Sequence, residues 1–153
     1  MASEKDILRM FSEYYEKQEV EQLVNLFTEE ATYYDTFYGA FTGHDKLKAM
    51  FRMFFRDGKN YLWDMQKIVA EPGSAMVEFF FSFLTTDQRN PDRSVKMVGV
   101  GVFAFTGPRI SQFHEYFDVG PVLPQMGLAP EAVVRHLQKR LEQGRSYTRP
   151  GAK

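Results

Sequence analysis

The chain has 153 residues, 44% of them hydrophobic and 25% charged, with a formal net charge of −1. This balance excludes a natively disordered polymer and a general electrostatic attraction to nucleic acid. The lack of cysteine excludes disulfides, thiolate metal sites and cysteine nucleophiles, and with no apolar run of membrane-span length and charges throughout the stretch to Lys17, a cytoplasmic protein without a membrane partner is expected.

Ser3 and Asp6 form a capping-box pattern, after which Ile7, Leu8, Phe11, Tyr14 and Tyr15 make one stripe of a first helix. Val20, Leu23, Val24 and Phe27 repeat the pattern beyond a break near Gln18 and predict a second, shorter helix. Ala31 to Tyr38, rich in Thr, Tyr and Phe and bounded by Gly39, reads as a strand. Thr42 and Asp45 match a second capping box, opening a helix with Leu47, Met50, Phe51 and Phe54 on its apolar face and Gly58 as its C′ stop.

Four long strands follow, at about 60–70, 74–85, 94–105 and 109–118, separated by Pro72-Gly73, a polar loop over 87–93 and Gly107-Pro108. That spacing favours an antiparallel meander. Residues 119–127 read as a loop or single turn, and Pro130 suits the first position of a terminal helix carrying Val134, Leu137 and Leu141 and ending at Gly144. Helices segregated from an antiparallel sheet make an α+β fold, with a curved sheet around the N-terminal helices and a funnel between them. A single domain is expected over 1–144, followed by a solvated basic tail over 145–153.

Aromatic residues make up 16% of the chain, more than a routine core needs, which points to a lined cavity or an adhesive surface. Gly99-Val-Gly101 and its neighbours match a dinucleotide fingerprint in letters but lie inside an alternating strand with no helix after them. The glycines there bend the strand or admit a close approach to its backbone. His44, His114 and His136 lie on separate elements without ligand spacing, so neither a metal nor a cofactor is implied.

The last strand alternates. Gln112, His114, Tyr116 and Asp118 share one face, and Phe113, Glu115 and Phe117 share the other. If the first set faces the concavity, His114 and Asp118 share a pocket, although a regular strand separates them by roughly 13 Å. If it faces solvent, Phe113 and Phe117 belong to the core. Asp35 among Tyr33, Tyr34, Phe37 and Tyr38, Glu78 among phenylalanines, and Asp64 beside Trp63 have the same two readings, an outward charge or a pocket group.

Leu26 to Asp35, Phe41 to Leu47, and Glu115 to Asp118 followed by Gln125-Met126-Gly127 resemble, in this order of elements, the nuclear transport factor 2-like superfamily and its SnoaL-like polyketide cyclase branch. The resemblance covers about residues 5–127. It implies a cone-shaped scaffold that hosts cyclases, steroid isomerases, epoxide hydrolases, dehydratases and proteins without catalysis. From the cyclases it implies a general base at Asp118 supported by His114; from the isomerases, a base at Asp35 following Ala31-Thr32. The isomerases' oxyanion aspartate falls at Gly101 and their helix-one tyrosine near Phe11, so that pair is missing, and no arginine lies in 98–105 to complete an epoxide hydrolase site.

The expected reaction is therefore proton abstraction next to a carbonyl by Asp118, a base raised toward neutral pH by an apolar pocket, with His114 or Tyr116 bonding the enolate. Tyr15, Tyr34, Tyr38, Phe51, Phe54, Trp63, Glu78 and Phe80 are the expected binding residues for a hydrophobic, aromatic or polyketide-like small molecule. A non-catalytic ligand-binding or dimerisation module is the other reading. Both allow a homodimer through an exposed face of the sheet.

Overall fold

A computed structural model describes residues 2–143; Gly144 and the tail over 145–153 lie outside the described residues. The capping box forms as expected at the start of α1 (Glu4–Glu16), where the Ser3 hydroxyl accepts from the Asp6 N–H and the Asp6 carboxylate accepts from the Ser3 N–H at 3.0 Å. The helix so started turns Ile7, Leu8, Phe11 and Tyr15 into the core. Gln18, at a left-handed φ of 59°, carries the chain into α2 (Val20–Asn25).

β1 (Phe27–Asp35) begins four residues before the expected start. Phe27 is fully buried and pairs with Ile110, so the sheet rather than the helix claims it. A short strand not expected from the sequence, β2 (Gly39–Thr42), folds back on β1. Thr42 therefore faces Thr32, the two hydroxyl oxygens 2.9 Å apart, and Gly43 caps α3 (His44–Asp57) with no side-chain bond. Gly58 has a φ of −150°, so its role is not a left-handed helix stop. A Cβ there would lie 2.3 Å from the Tyr61 hydroxyl, and close packing is what demands glycine.

β3 (Gly58–Glu71), β4 (Ser74–Thr85), β5 (Ser94–Thr106) and β6 (Arg109–Phe117) form the expected meander. The sheet order is β2-β1-β6-β5-β4-β3, with β1 parallel to β6. This one parallel pairing sets Tyr33 beside Phe113 and brings the end of β1 against the end of β6. A helix, α4 (Val119–Gln125), stands where a loop or single turn was expected, and Pro130 opens α5 (Pro130–Glu142). No helix among the described residues is long and apolar enough to cross a membrane.

The result is an α+β fold in which α1 and α3 share a core with the inner rows of the curved sheet. Phe11 packs edge-on against Phe27, Trp63, Phe103 and Phe113 and fills the centre. Phe103 and Phe113 stack at 4.1 Å over the Gly101 backbone, where a Cβ would meet the Phe113 ring at 2.9 Å. The β5 glycine thus serves aromatic packing, the close approach expected of it.

Candidate active site

Strand parity in β6 sends Phe113 and Glu115 inward and leaves Gln112, His114 and Tyr116 on the outer side of the sheet. Asp35, the last residue of β1, also points inward, and both carboxyl residues are 8% exposed. They meet in a cavity of about 100 Å³ whose wall includes Tyr15 from α1, Tyr33, Tyr38, Phe54, Trp63, Phe81 and Phe117, with Val122 and Met126 of α4 alongside.

The two acids have opposite surroundings. Asp35 Oδ1 accepts hydrogen bonds from the backbone N–H of Phe37 at 2.7 Å and of Tyr38 at 2.6 Å, an Asx turn that fixes the carboxyl group. Burial pushes the Glu115 carboxyl well above the usual carboxylate range, and the charge of Asp35 and a hydrogen bond to it add to the effect. Bonds from the Tyr33 hydroxyl, 3.2 Å from Oε2, and from the Thr36 backbone oppose it. Two neighbouring carboxyls in surroundings this different form the kind of pair that can divide the roles of acid and base.

The walls supply further donors. Burial, with Tyr61, Glu115 and Asp35 adding to it, raises the Tyr15 hydroxyl well above its ordinary value; burial and Glu115 do the same for Tyr33, so both stay protonated. Trp63 Nε1 is buried without a hydrogen-bond partner. Its backbone is fixed to α1: the Ser12 hydroxyl donates to the Trp63 carbonyl at 2.6 Å, and the Trp63 N–H donates to Glu16 at 2.9 Å.

Of the expected site residues, Tyr15, Asp35, Tyr38, Phe54 and Trp63 line the cavity. Phe51 lies behind it as fully buried core, in edge contact with Tyr15 and Tyr33. Tyr34, Glu78, Phe80, His114 and Tyr116 lie on the other side of the sheet, because each neighbours an inward residue and the side chains of a strand alternate. There His114 packs its ring 3.8 Å from that of Tyr34, and burial lowers its pKa. Asp64 is exposed as well.

Asp118, expected to point into a dry pocket, does not line the aromatic cavity but borders an open surface hollow beside Phe80, Lys96 and Val98. Asp118 is exposed, and its carboxylate caps α4 by accepting from the Gly120 N–H at 3.0 Å. The chain leaves the sheet at Phe117, so the aspartate satisfies a helix end instead of facing the cavity. Glu115, absent from the expected catalytic set, takes the inward position. Its signal was the second face of the alternation, a carboxylate between Phe113 and Phe117.

The family model of the SnoaL-like domain matches residues 7–113. No functionally curated protein matches the sequence. Among solved structures, the chain is similar to a hypothetical protein with a ketosteroid isomerase-like fold from Catenulispora acidiphila in complex with trimethylamine, at 16% identity over 84% of this chain and 98% of that one, with a TM-score of 0.74. A SnoaL-like polyketide cyclase from Agrobacterium tumefaciens matches at 16% identity over 83% and 100%, with a TM-score of 0.68. An LEH-like epoxide hydrolase from M. tuberculosis matches at 14% identity over 90% and 93%, with a TM-score of 0.66. The structural matches share the cone fold, the family match spans most of the sequence, and the chain belongs to the SnoaL-like domain family of the nuclear transport factor 2-like superfamily.

Proposed function

We propose that the protein is a small-molecule acid–base enzyme that removes a proton next to a carbonyl group, with Asp35 as base and Glu115 as the neutral acid. The observation that carries this reading is the buried Asp35–Glu115 pair in an aromatic cavity, one carboxyl bonded by two backbone amides and the other held protonated by burial. The Asp35 carboxylate takes the proton from carbon, the electron pair moves onto the carbonyl oxygen, and the Glu115 O–H donates to that oxygen. A carboxylic acid kept neutral by an apolar site can donate to a developing oxyanion, as one does in ketosteroid isomerase, and Glu115 in that role removes the need for the aspartate replaced by Gly101. Returning the proton to another carbon gives isomerisation, expulsion of a β-substituent gives elimination, and attack of the enolate on a second carbonyl gives ring closure.

A cavity of about 100 Å³ is smaller than the roughly 300–1,000 Å³ that holds a drug-sized ligand. A single ring or short branched chain therefore enters, and any larger aromatic or polyketide-like remainder stays at the mouth beside Phe37, Tyr38 and Met126. The test needs no knowledge of the natural substrate. Cyclohexenone in D₂O, followed by NMR, should lose its α-protons faster with the wild-type protein than without it. Binding of this probe with no catalysed exchange would overturn the enzymatic reading and leave the ligand-binding module.

For the quaternary state we propose a homodimer through the outer face of the sheet. Val98, Val100 and Tyr116 lie there at 69%, 41% and 48% exposure, with Met76 at 58% one step beyond Glu78, a largely apolar patch of the kind a second subunit covers. Sedimentation at micromolar concentration should show a dimer that Val98→Lys dissociates; a wild-type protein found only at 17.8 kDa would contradict it.

A further inference from the structure

Behind the Asp35 turn lies α5, outside the 7–113 stretch that matches the family. Its Arg140 is 8% exposed, rare for a guanidinium. Nη1 donates to the carbonyl oxygens of Thr36 and Phe37, the second at 3.4 Å. Those carbonyls belong to the same two peptide groups whose N–H ends, on Phe37 and Tyr38, donate to Asp35 Oδ1. Each planar peptide thus has its oxygen on a cation and its hydrogen on an anion, and hydrogen bonds linked in such a chain polarise one another. The Thr36 hydroxyl ties the same turn to β6 by donating to the Glu115 carbonyl.

We infer that Arg140 is a positioning residue for Asp35, acting through two peptide groups to fix the turn and strengthen its amides as donors to the carboxylate, so that α5 is a working part of the site. The functional meaning rests on Asp35 as the base, but the coupling itself is measurable without substrate. A charge 140 residues into the chain then controls the geometry of a group in the first strand.

The test is ¹H–¹⁵N NMR of the full chain, read at the Phe37 and Tyr38 amides. In the wild type both protons should resonate downfield, as short bonds to a carboxylate require. Arg140→Gln should move both upfield, and Arg140→Lys, which keeps the charge, should recover part of the shift. In an Asp35→Asn background the effect of Arg140→Gln should shrink, because the carboxylate end of the chain of bonds is gone. Unmoved amides in Arg140→Gln, a lysine variant identical to the glutamine variant, or an equal shift in both backgrounds would each overturn the proposal. Amides that respond as expected in a protein that exchanges no cyclohexenone protons would instead refute the enzymatic reading and leave the coupling standing.

Discussion

The two faces of β6 are made by alternate residues of one strand, yet one is a wall of the candidate site and the other is an outer surface. Inward, Phe113 stacks on Phe103 and Glu115 sits against Asp35, shielded from solvent. Outward, His114 rests on Tyr34 and Tyr116 is half-exposed. Position relative to the sheet therefore matters as much as residue type: desolvation pushes the inward Glu115 carboxyl above its usual range, while Asp118, beyond the strand's end, is exposed and serves a helix cap.

The contrast can be broken most directly at the acids. Asp35→Asn should lower catalysed α-proton exchange by about a hundredfold or more, the ordinary worth of a general base, while Asp118→Asn leaves the rate unchanged. Equal losses would show that the outer acid takes part after all. Next in size, Phe113→Ala should cost about 3–5 kcal/mol in urea or guanidinium unfolding, because it empties the stack on Phe103 in the core. Gln112→Ala, one residue away on the outer side, should stay within about 0.5 kcal/mol.

Glu115 sharpens the comparison through pH. Its native value lies above the 4.5 of the free group, so the native state holds the proton more tightly than the unfolded chain does. The stability this confers is complete below 4.5 and is lost as pH rises through the native value. Glu115→Gln should remove that loss, so the variant gains on the wild type with rising pH in a series of unfolding curves; parallel curves would mean the carboxyl is not desolvated. Asp118→Ala should cost about 1 kcal/mol, well below the loss in Phe113→Ala, from a lost cap with the cavity intact.

Much of the fold is legible along the chain, because local rules act over a few residues. The capping box at Ser3, the stripe Ile7 to Tyr15, the four strand spans and Pro130 all follow from neighbours in sequence. The features that depart from expectation involve partners far away. β2 exists because Gly39–Thr42 finds β1, and Phe27 joins the sheet because Ile110 stands opposite. Gly58 is glycine because of Tyr61 and Phe83 rather than because a helix ends.

The order of residues was enough to establish an α+β fold, a surplus of aromatic rings, and the two alternating sets of β6, since periodicity and composition are properties of the string. Which set faces inward was decided only when β1 paired in parallel with β6 and the helices filled one side of the sheet. Alternation is symmetric between the faces, and only packing against a third layer breaks that symmetry, bringing Asp35, Glu115 and Arg140 to one turn from three distant parts of the chain.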